Sequence, residues 1–383
     1  MDRKLIDDMN GGAGRGFRGW MVAAALAVAG LALLAGACGG GGEDTRPTAT
    51  ESPEPSPEAT ATPGPASPAS QGCDEGNGPP QEGSGGPDLE GRIVFARLVF
   101  GCSPEVYIMN ADGSDATNLT NDPSLDDEPD LSPDGSKVVF FSGREGNAYL
   151  YIMNADGSDL QRLTEGQGGD VSPRWSPDGS RIAFSRNGSL AVMNADGSDL
   201  KIIMEAQPSD VAEPCRAGSF VGGWSPDGKR ITYYSAIVGA GPSDGNPGRP
   251  GRYEVCAIDA DGSNLEALVS EPEGNLHAEP HWSPDGKKIV FRDDRDGDCS
   301  VSASACNYEV YVLDLETGQE TNVTSHPAFD IEPTWSPDGE WIVFASNRDD
   351  PNFDLYVVRP DGSDVRRLLD DPAAKDSYPS WVR

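Results

Sequence analysis

Trp335-Ser336-Pro337-Asp338-Gly339-Glu340-Trp341-Ile342-Val343-Phe344 is the stretch that decides the fold, because four more copies of its core stand upstream. Ser-Pro-Asp-Gly also occurs at Ser132 to Gly135, Ser176 to Gly179, Ser225 to Gly228 and Ser283 to Gly286, with successive starts 44, 49, 58 and 53 residues apart. A β-branched, aromatic run follows each copy, as in Lys137 to Phe141, Arg181 to Phe184, Arg230 to Tyr234 and Lys288 to Phe291, and a sixth such run, Arg92 to Phe95, lacks the turn before it. Then comes a second strand and a tight turn, Val106-Tyr107-Ile108-Met109-Asn110 into Ala111-Asp112-Gly113-Ser114, repeated around Tyr151, Leu190, Val255 and Leu355. The version at Val310 to Leu313 turns instead on Glu316-Thr317-Gly318. Asp-Gly between apolar runs is a strong hairpin signal, since glycine accepts the positive φ the turn needs.

A further strand is expected at Leu119-Thr120, Leu163-Thr164 and Val323-Thr324, and another at the Pro-x-Trp-Ser before each Ser-Pro-Asp-Gly. Naming them A (Pro-x-Trp-Ser), B (Ile-x-Phe), C (Tyr-x-Met-Asn) and D (Leu-Thr), each repeat is a four-stranded antiparallel sheet, and six C strands predict an all-β, six-bladed propeller. The chain opens this region with a B strand at Arg92 and closes it with a lone A strand, Tyr378 to Arg383. Pairing the two shuts the ring and hides two sheet edges. The Trp-Ser-Pro-Asp-Gly and Tyr-x-Met-Asn-Ala-Asp-Gly-Ser runs resemble the PD40, or WD40-like, repeats of the TolB family. That resemblance implies an exported propeller that binds other envelope proteins in the periplasm. TolB proteins carry an α/β domain ahead of the propeller, a place taken here by an apolar run and a spacer.

Composition agrees. With 29 Lys plus Arg against 63 Asp plus Glu, the net charge is −34, which repels a phosphate backbone and excludes nucleic acid as a partner. The 47 Gly and 32 Pro exclude an all-helical chain. Arg15 and Arg18 precede the uncharged run Trp20 to Ala37, the pattern of a secretory signal peptide. Leu34-Ala35-Gly36-Ala37-Cys38 resembles a bacterial lipobox, which implies that Cys38 is lipidated and the protein membrane-anchored; an uncleaved membrane anchor is the alternative. Three regions are expected: residues 1–37 as signal peptide, 38–88 as a disordered Pro/Ser/Thr/Gly-rich tether reaching about 40 Å, and 89–383 as the propeller.

Function is expected on one face. In an up-and-down blade the A–B and C–D turns share a face, and these are short and uniform. The insertions at Leu98 to Glu105, Ala236 to Arg252 and Asp293 to Tyr308 are all B–C loops on the other face, where binding residues on a rigid scaffold belong. Counting back from the A-strand Trp or from Leu131, the fifth position holds Asp126, Asp170, His277, Asp330 and Asp376, and the third holds Glu128, Ser172, Glu279, Glu332 and Tyr378. Glu213 fits the series if the insertion before Trp224 is set aside. These side chains are expected to ring the channel mouth, where a Ca²⁺ ion or a docked Lys- or Arg-bearing segment would relieve the repulsion among carboxylates.

The expected function is a non-catalytic, monomeric scaffold for an envelope protein, peptide or glycan, with no cofactor. The alternative is a carbohydrate-active (lyase-like) or hydrolytic propeller enzyme with its site at the channel mouth. For that enzyme, His277, Glu279 and His281 would share one strand face as a transition-metal site. Oligogalacturonate lyases have similar repeats, but their metal-binding set does not map onto the histidines here, and no Gly-x-Ser-x-Gly elbow accompanies the blades. Six cysteines besides Cys38 suit an oxidising compartment. Proximity ranks the pairs Cys299–Cys306, then Cys215–Cys256, then Cys73–Cys102.

Overall fold

The computed structural model describes residues 81–82, 86, 89–99, 101–207, 215–216, 218–236, 253–269, 276–296, 307–349 and 351–383. The signal peptide, Cys38, most of the tether, Cys73, Glu213, Cys299 and Cys306 lie outside them.

Six four-stranded antiparallel sheets follow one another in the chain. The first blade has B at Arg92–Val99, C at Glu105–Asn110 and D at Thr117–Asn118, and takes its A strand, Ala374–Val382, from the far end of the chain. The other five A strands are Asp126–Leu131, Asp170–Trp175, Ser219–Trp224, Ala278–Trp282 and Asp330–Trp335, each joined by its turn to the B strand of the same blade. Ring closure is as expected: Ile93 pairs with Trp381 and Arg92 with Val382. The Trp381 indole donates to the Glu90 carbonyl at 2.9 Å. One pairing outside the blades joins Gln81–Glu82 to Leu369–Asp370, beside the last D strand, Arg366–Arg367.

The core is a set of layers between neighbouring blades. Val94, Val106 and Ile108 of the first blade pack with Leu131, Val138 and Phe140 of the second. Val290, Val310 and Val312 of the fifth do the same with Trp335, Ile342 and Phe344 of the sixth. B strands lie inside this stack and are covered on both faces, so they read as continuous apolar runs: Phe95, Phe140, Phe184, Phe291 and Phe344 are fully buried.

The C–D turns serve as spacers between blades. A Cβ on Gly113 would lie 2.3 Å from the Leu368 carbonyl oxygen of the preceding blade, and one on Gly262 would lie 2.3 Å from that of Ile203. Gly318, in the divergent turn, has open space around its Cβ position. In the A–B turns the aspartate is the hub. Asp134 accepts from the Ser132 hydroxyl at 2.7 Å and the Ser136 amide at 3.0 Å, and these bonds hold its carboxyl at about 2.

One expectation is corrected. The Leu-Thr pairs do not form the D strands, which are Thr117–Asn118, Gln161–Arg162 and Glu320–Asn322. They come just after, where the threonine hydroxyl stands in for a backbone partner: Thr120, Thr164 and Thr324 accept the amides of Val106, Leu150 and Val310 at 2.9–3.0 Å.

Candidate functional site: the central channel and its loop face

Five A strands carry a β-bulge next to a proline, and this bulge sets the channel geometry. Glu128, Ser172, Glu279, Glu332 and Tyr378 each precede a proline and have φ between 50° and 57°. Proline has no N–H to give a ladder, so it is tolerated in these strands only where the pairing is already broken. The register shifts there, as between Asp127 and Asp130. The fourth blade has Val221-Gly222 in place of the x-Pro pair.

Because of the bulge, the third and fifth positions have different fates. The third-position side chains line the channel: Glu128, Ser172, Val221, Glu279, Glu332 and Tyr378 border one cavity with Arg174, Tyr234 and His281. Their carboxylates link blade to blade. Glu128 accepts the Ser172 amide at 2.5 Å, Glu279 accepts the Glu332 amide at 2.6 Å, and Glu332 accepts the Tyr378 amide at 2.7 Å. Tyr378 cannot continue the series, and the Glu128 amide turns to Asp127 at 2.8 Å.

The fifth-position residues do not ring the mouth, contrary to expectation. Asp126, Asp170, Asp330 and Asp376 are buried inside their own blades, each on an arginine in or just after the B strand: Arg144 at 2.9 Å, Arg186 at 2.6 Å, Arg348 at 3.0 Å and Arg97 at 2.9 Å. The guanidinium also covers aromatic rings, with Arg144 4.8 Å from the Tyr151 centroid and Arg348 5.0 Å from that of Tyr356. In the fifth blade the acid has crossed to the neighbouring strand. His277 occupies the A-strand place, its Nδ1 is 2.7 Å from Asp293, and Asp293 accepts from Arg295 Nε at 2.6 Å. Arg295 thus sits over Tyr311 as Arg144 sits over Tyr151.

His277, Glu279 and His281 therefore do not form a site together. His277 is inside the blade, Glu279 serves the Glu332 amide and contacts Arg292 at 3.3 Å, and His281 faces the channel. Desolvation and the charge of Arg174 hold His281 down at about 3, so it is neutral. Among the described residues the cluster of metal-ligating types is Cys215, Glu254 and Cys256, and there the two sulfurs are joined to each other as a disulfide. That bond staples the link between the third and fourth blades to strand Tyr253–Asp259. Cys102 is disulfide-bonded too, while Cys73 lies outside the described residues. In the fourth blade the fifth and third positions before Trp224 are Ser219 and Val221, and of these Val221 lines the channel.

Burial governs the charge state of the channel. It pushes Glu128 up against the pull of Arg174, pushes Glu332 up to about 7, and holds Asp127 well above the carboxylate range, with Glu128 pushing Asp127 the same way. Two sets of residues had no place in the sequence reading. One is the position before the A-strand Trp, where Arg174 donates to the Gly222 carbonyl at 2.9 Å and Asp130 accepts from the Trp175 amide and Ser380 hydroxyl, both at 2.7 Å. Two-residue alternation from the Trp would have found it. The other is the acid opening the C strand: Glu105 and Glu309 accept the Asp122 and His326 amides of the D–A loops at 3.0–3.1 Å.

Residues 86–217, which include the B, C and D strands of the first blade and the A to D strands of the next two, match the TolB beta propeller domain. An uncharacterized protein of Agrobacterium fabrum is 33% identical over 100 residues, which is 26% of this chain and 29% of that protein. The Tol-Pal system protein TolB of Francisella tularensis subsp. mediasiatica is 27% identical over 117 residues, 30% of this chain and 25% of that protein. The matched stretch thus spans under a third of either relative. In fold, the chain is similar to TolB from Acinetobacter baumannii (TM-score 0.60, 21% identity, 77% of this chain and 67% of that one). It is also similar to a putative TolB from Agrobacterium tumefaciens (TM-score 0.54, 18% identity, 77% of this chain and 99% of that one). The molecule is a TolB-like, six-bladed propeller.

Proposed function

We propose that this propeller is an exported binding protein, tethered to the membrane through Cys38, that engages another envelope protein through the face bearing its B–C and D–A loops. The carrying observation is a division of labour among polar groups. The channel carboxylates Glu128, Glu279 and Glu332 accept backbone amides of neighbouring blades, and buried Asp–Arg pairs sit inside five blades, the fourth having Ser219 at that place. Groups committed in this way act as scaffold. Chain length varies instead in the loops of one face, which the scaffold displays. The likeness to Tol-Pal system proteins supports an envelope protein as the partner, ahead of a peptide or a glycan.

Photo-crosslinking in the full exported chain tests this reading. A crosslinker at Asn147, exposed on the loop face, is expected to form a discrete adduct with an envelope protein, while one at Asp178, exposed on the opposite face, forms none. Adducts from Asp178 alone would overturn the choice of face. Cys38→Ser is expected to move the protein from the membrane to the soluble envelope fraction. Retention in the membrane would point to an uncleaved anchor.

A further inference from the structure

Five blades have a Ser-Pro-Asp-Gly turn joining A to B, and the first has none: its A strand is held to Arg92–Val99 by pairing and side chains alone. Those side chains are arranged unlike the rest. Asp376 accepts from Arg97 Nη1 at 2.9 Å, and Arg97 also reaches Asp371. Next to them Asp354 of the sixth blade is paired with Arg367 at 2.5 Å and accepts the Asp371 amide at 3.3 Å. Arg367 is shared in turn with Asp370 at 3.0 Å. Four carboxylates thus meet two guanidiniums, whereas Asp126, Asp170 and Asp330 each have an arginine of their own. Arg97, Asp354 and Asp376 are 1–2% exposed, so water screens the surplus poorly.

The same strand meets acid on its other side. Lys375 acts on Asp127 of the second blade and Glu332 of the sixth, and Glu332 accepts the Tyr378 amide. Glu128 stands beyond Asp127, and Glu279 and Arg292 beyond Glu332. From the third strand of its own blade, Tyr107 lies under Arg97, 5.7 Å from the ring centroid.

We propose that strand Ala374–Val382 is a pH-dependent latch, lying closed on Arg92–Val99 at acid pH and loosening as its seam takes on more negative charge than its two guanidiniums can balance. Burial pushes Asp376 up to about 7 against the pull of Arg97, with Asp354 and Asp371 pushing the same way, and Glu332 also stands at about 7. Both carboxyls are raised in the closed ring, so the closing free energy is fully present below the ordinary carboxylate range of about 4 and is lost as pH rises through about 7. The strand carries Tyr378 and Pro379 into the channel wall, so loosening it reshapes the channel.

Amide hydrogen exchange on the full chain, corrected for the intrinsic base-catalysed rate, tests the latch, with strand Ser219–Trp224, which carries no acid and belongs to another blade, as the internal reference. From pH 6 to 8.5 the opening constant of Ala374–Val382 is expected to rise about tenfold relative to that reference, the change that one unit of pKa linkage gives. Asp371→Asn keeps the oxygen that accepts the Ala373 amide and removes one surplus charge, so it is expected to shrink the pH effect at least about threefold. Asp370→Asn, at a half-exposed side chain, gives a smaller shift of the same sign and serves if the first variant folds poorly. Equal pH dependence of the two strands, or an unchanged pH effect in both variants, overturns the proposal.

Discussion

Single glycines in this ring do two jobs that can be separated. Gly113 holds φ at +91° and leaves no room for a side chain against the Leu368 carbonyl, whereas Gly318 holds φ at +71° beside open space. Gly318→Ala carries only the backbone strain, about 1 kcal/mol. Gly113→Ala adds a collision with backbone that cannot retreat, and is expected to cost about 2–3 kcal/mol. Urea midpoints of the two variants check this, and equal losses would show that turn conformation, and not blade spacing, is what the repeated glycine secures.

At the scale of the strand pair, the Asp–Arg clasp has two interchangeable wirings. The second blade places Asp126 on strand A opposite Ser142 on strand B, and the fifth places His277 opposite Asp293, with Arg144 and Arg295 filling the same role. His277→Asp alone would set two buried carboxyls face to face. Asp293→Ser alone would leave Arg295 with Glu320 and take the partner from His277. Each is expected to cost about 2–4 kcal/mol, since one member of a buried pair is left uncompensated. His277→Asp combined with Asp293→Ser rebuilds the arrangement of the second blade and is expected to be more stable than either single variant. A double-mutant cycle measures the coupling, and simple additivity would show that the two wirings are not equivalent.

For the whole molecule, pH sets stability through buried acids. Asp376, Glu332 and Glu105 are each raised by burial to about 7. A raised carboxyl contributes stability that is complete below about 4 and lost as pH passes 7, so the thermal midpoint is expected to fall by a few degrees between pH 5.5 and 8.5. The turn aspartates Asp134, Asp178 and Asp227 stand at about 2 and act in the opposite sense, losing their contribution only as pH falls toward 2. A scan over pH 2–9 should show both limbs, and a midpoint still rising at pH 8.5 would contradict the assignment. Removing residues 374–383 leaves strand Arg92–Val99 with an open edge beside an unfilled gap. The shortened chain is expected to aggregate, and a peptide of the missing strand to restore a soluble ring.

Blade number, strand order, ring closure and the working of the turns were legible from spacing, because a repeated Asp-Gly turn and a two-residue apolar alternation are local facts that need no partner to be recognised. The roles of the acids were not. Counting back from Trp335 gives Asp330 and Glu332 equal standing, and a regular strand would point both the same way. The bulge at Glu332-Pro333 breaks that symmetry, sending Asp330 to Arg348 inside the blade and Glu332 to the channel and the next blade's backbone. A carboxylate's partner is chosen by what stands within about 3 Å of it in space. In this ring that neighbour is usually a residue of another strand or another blade, so the sequence by itself determined the architecture while the tertiary structure decided which charges hold it together.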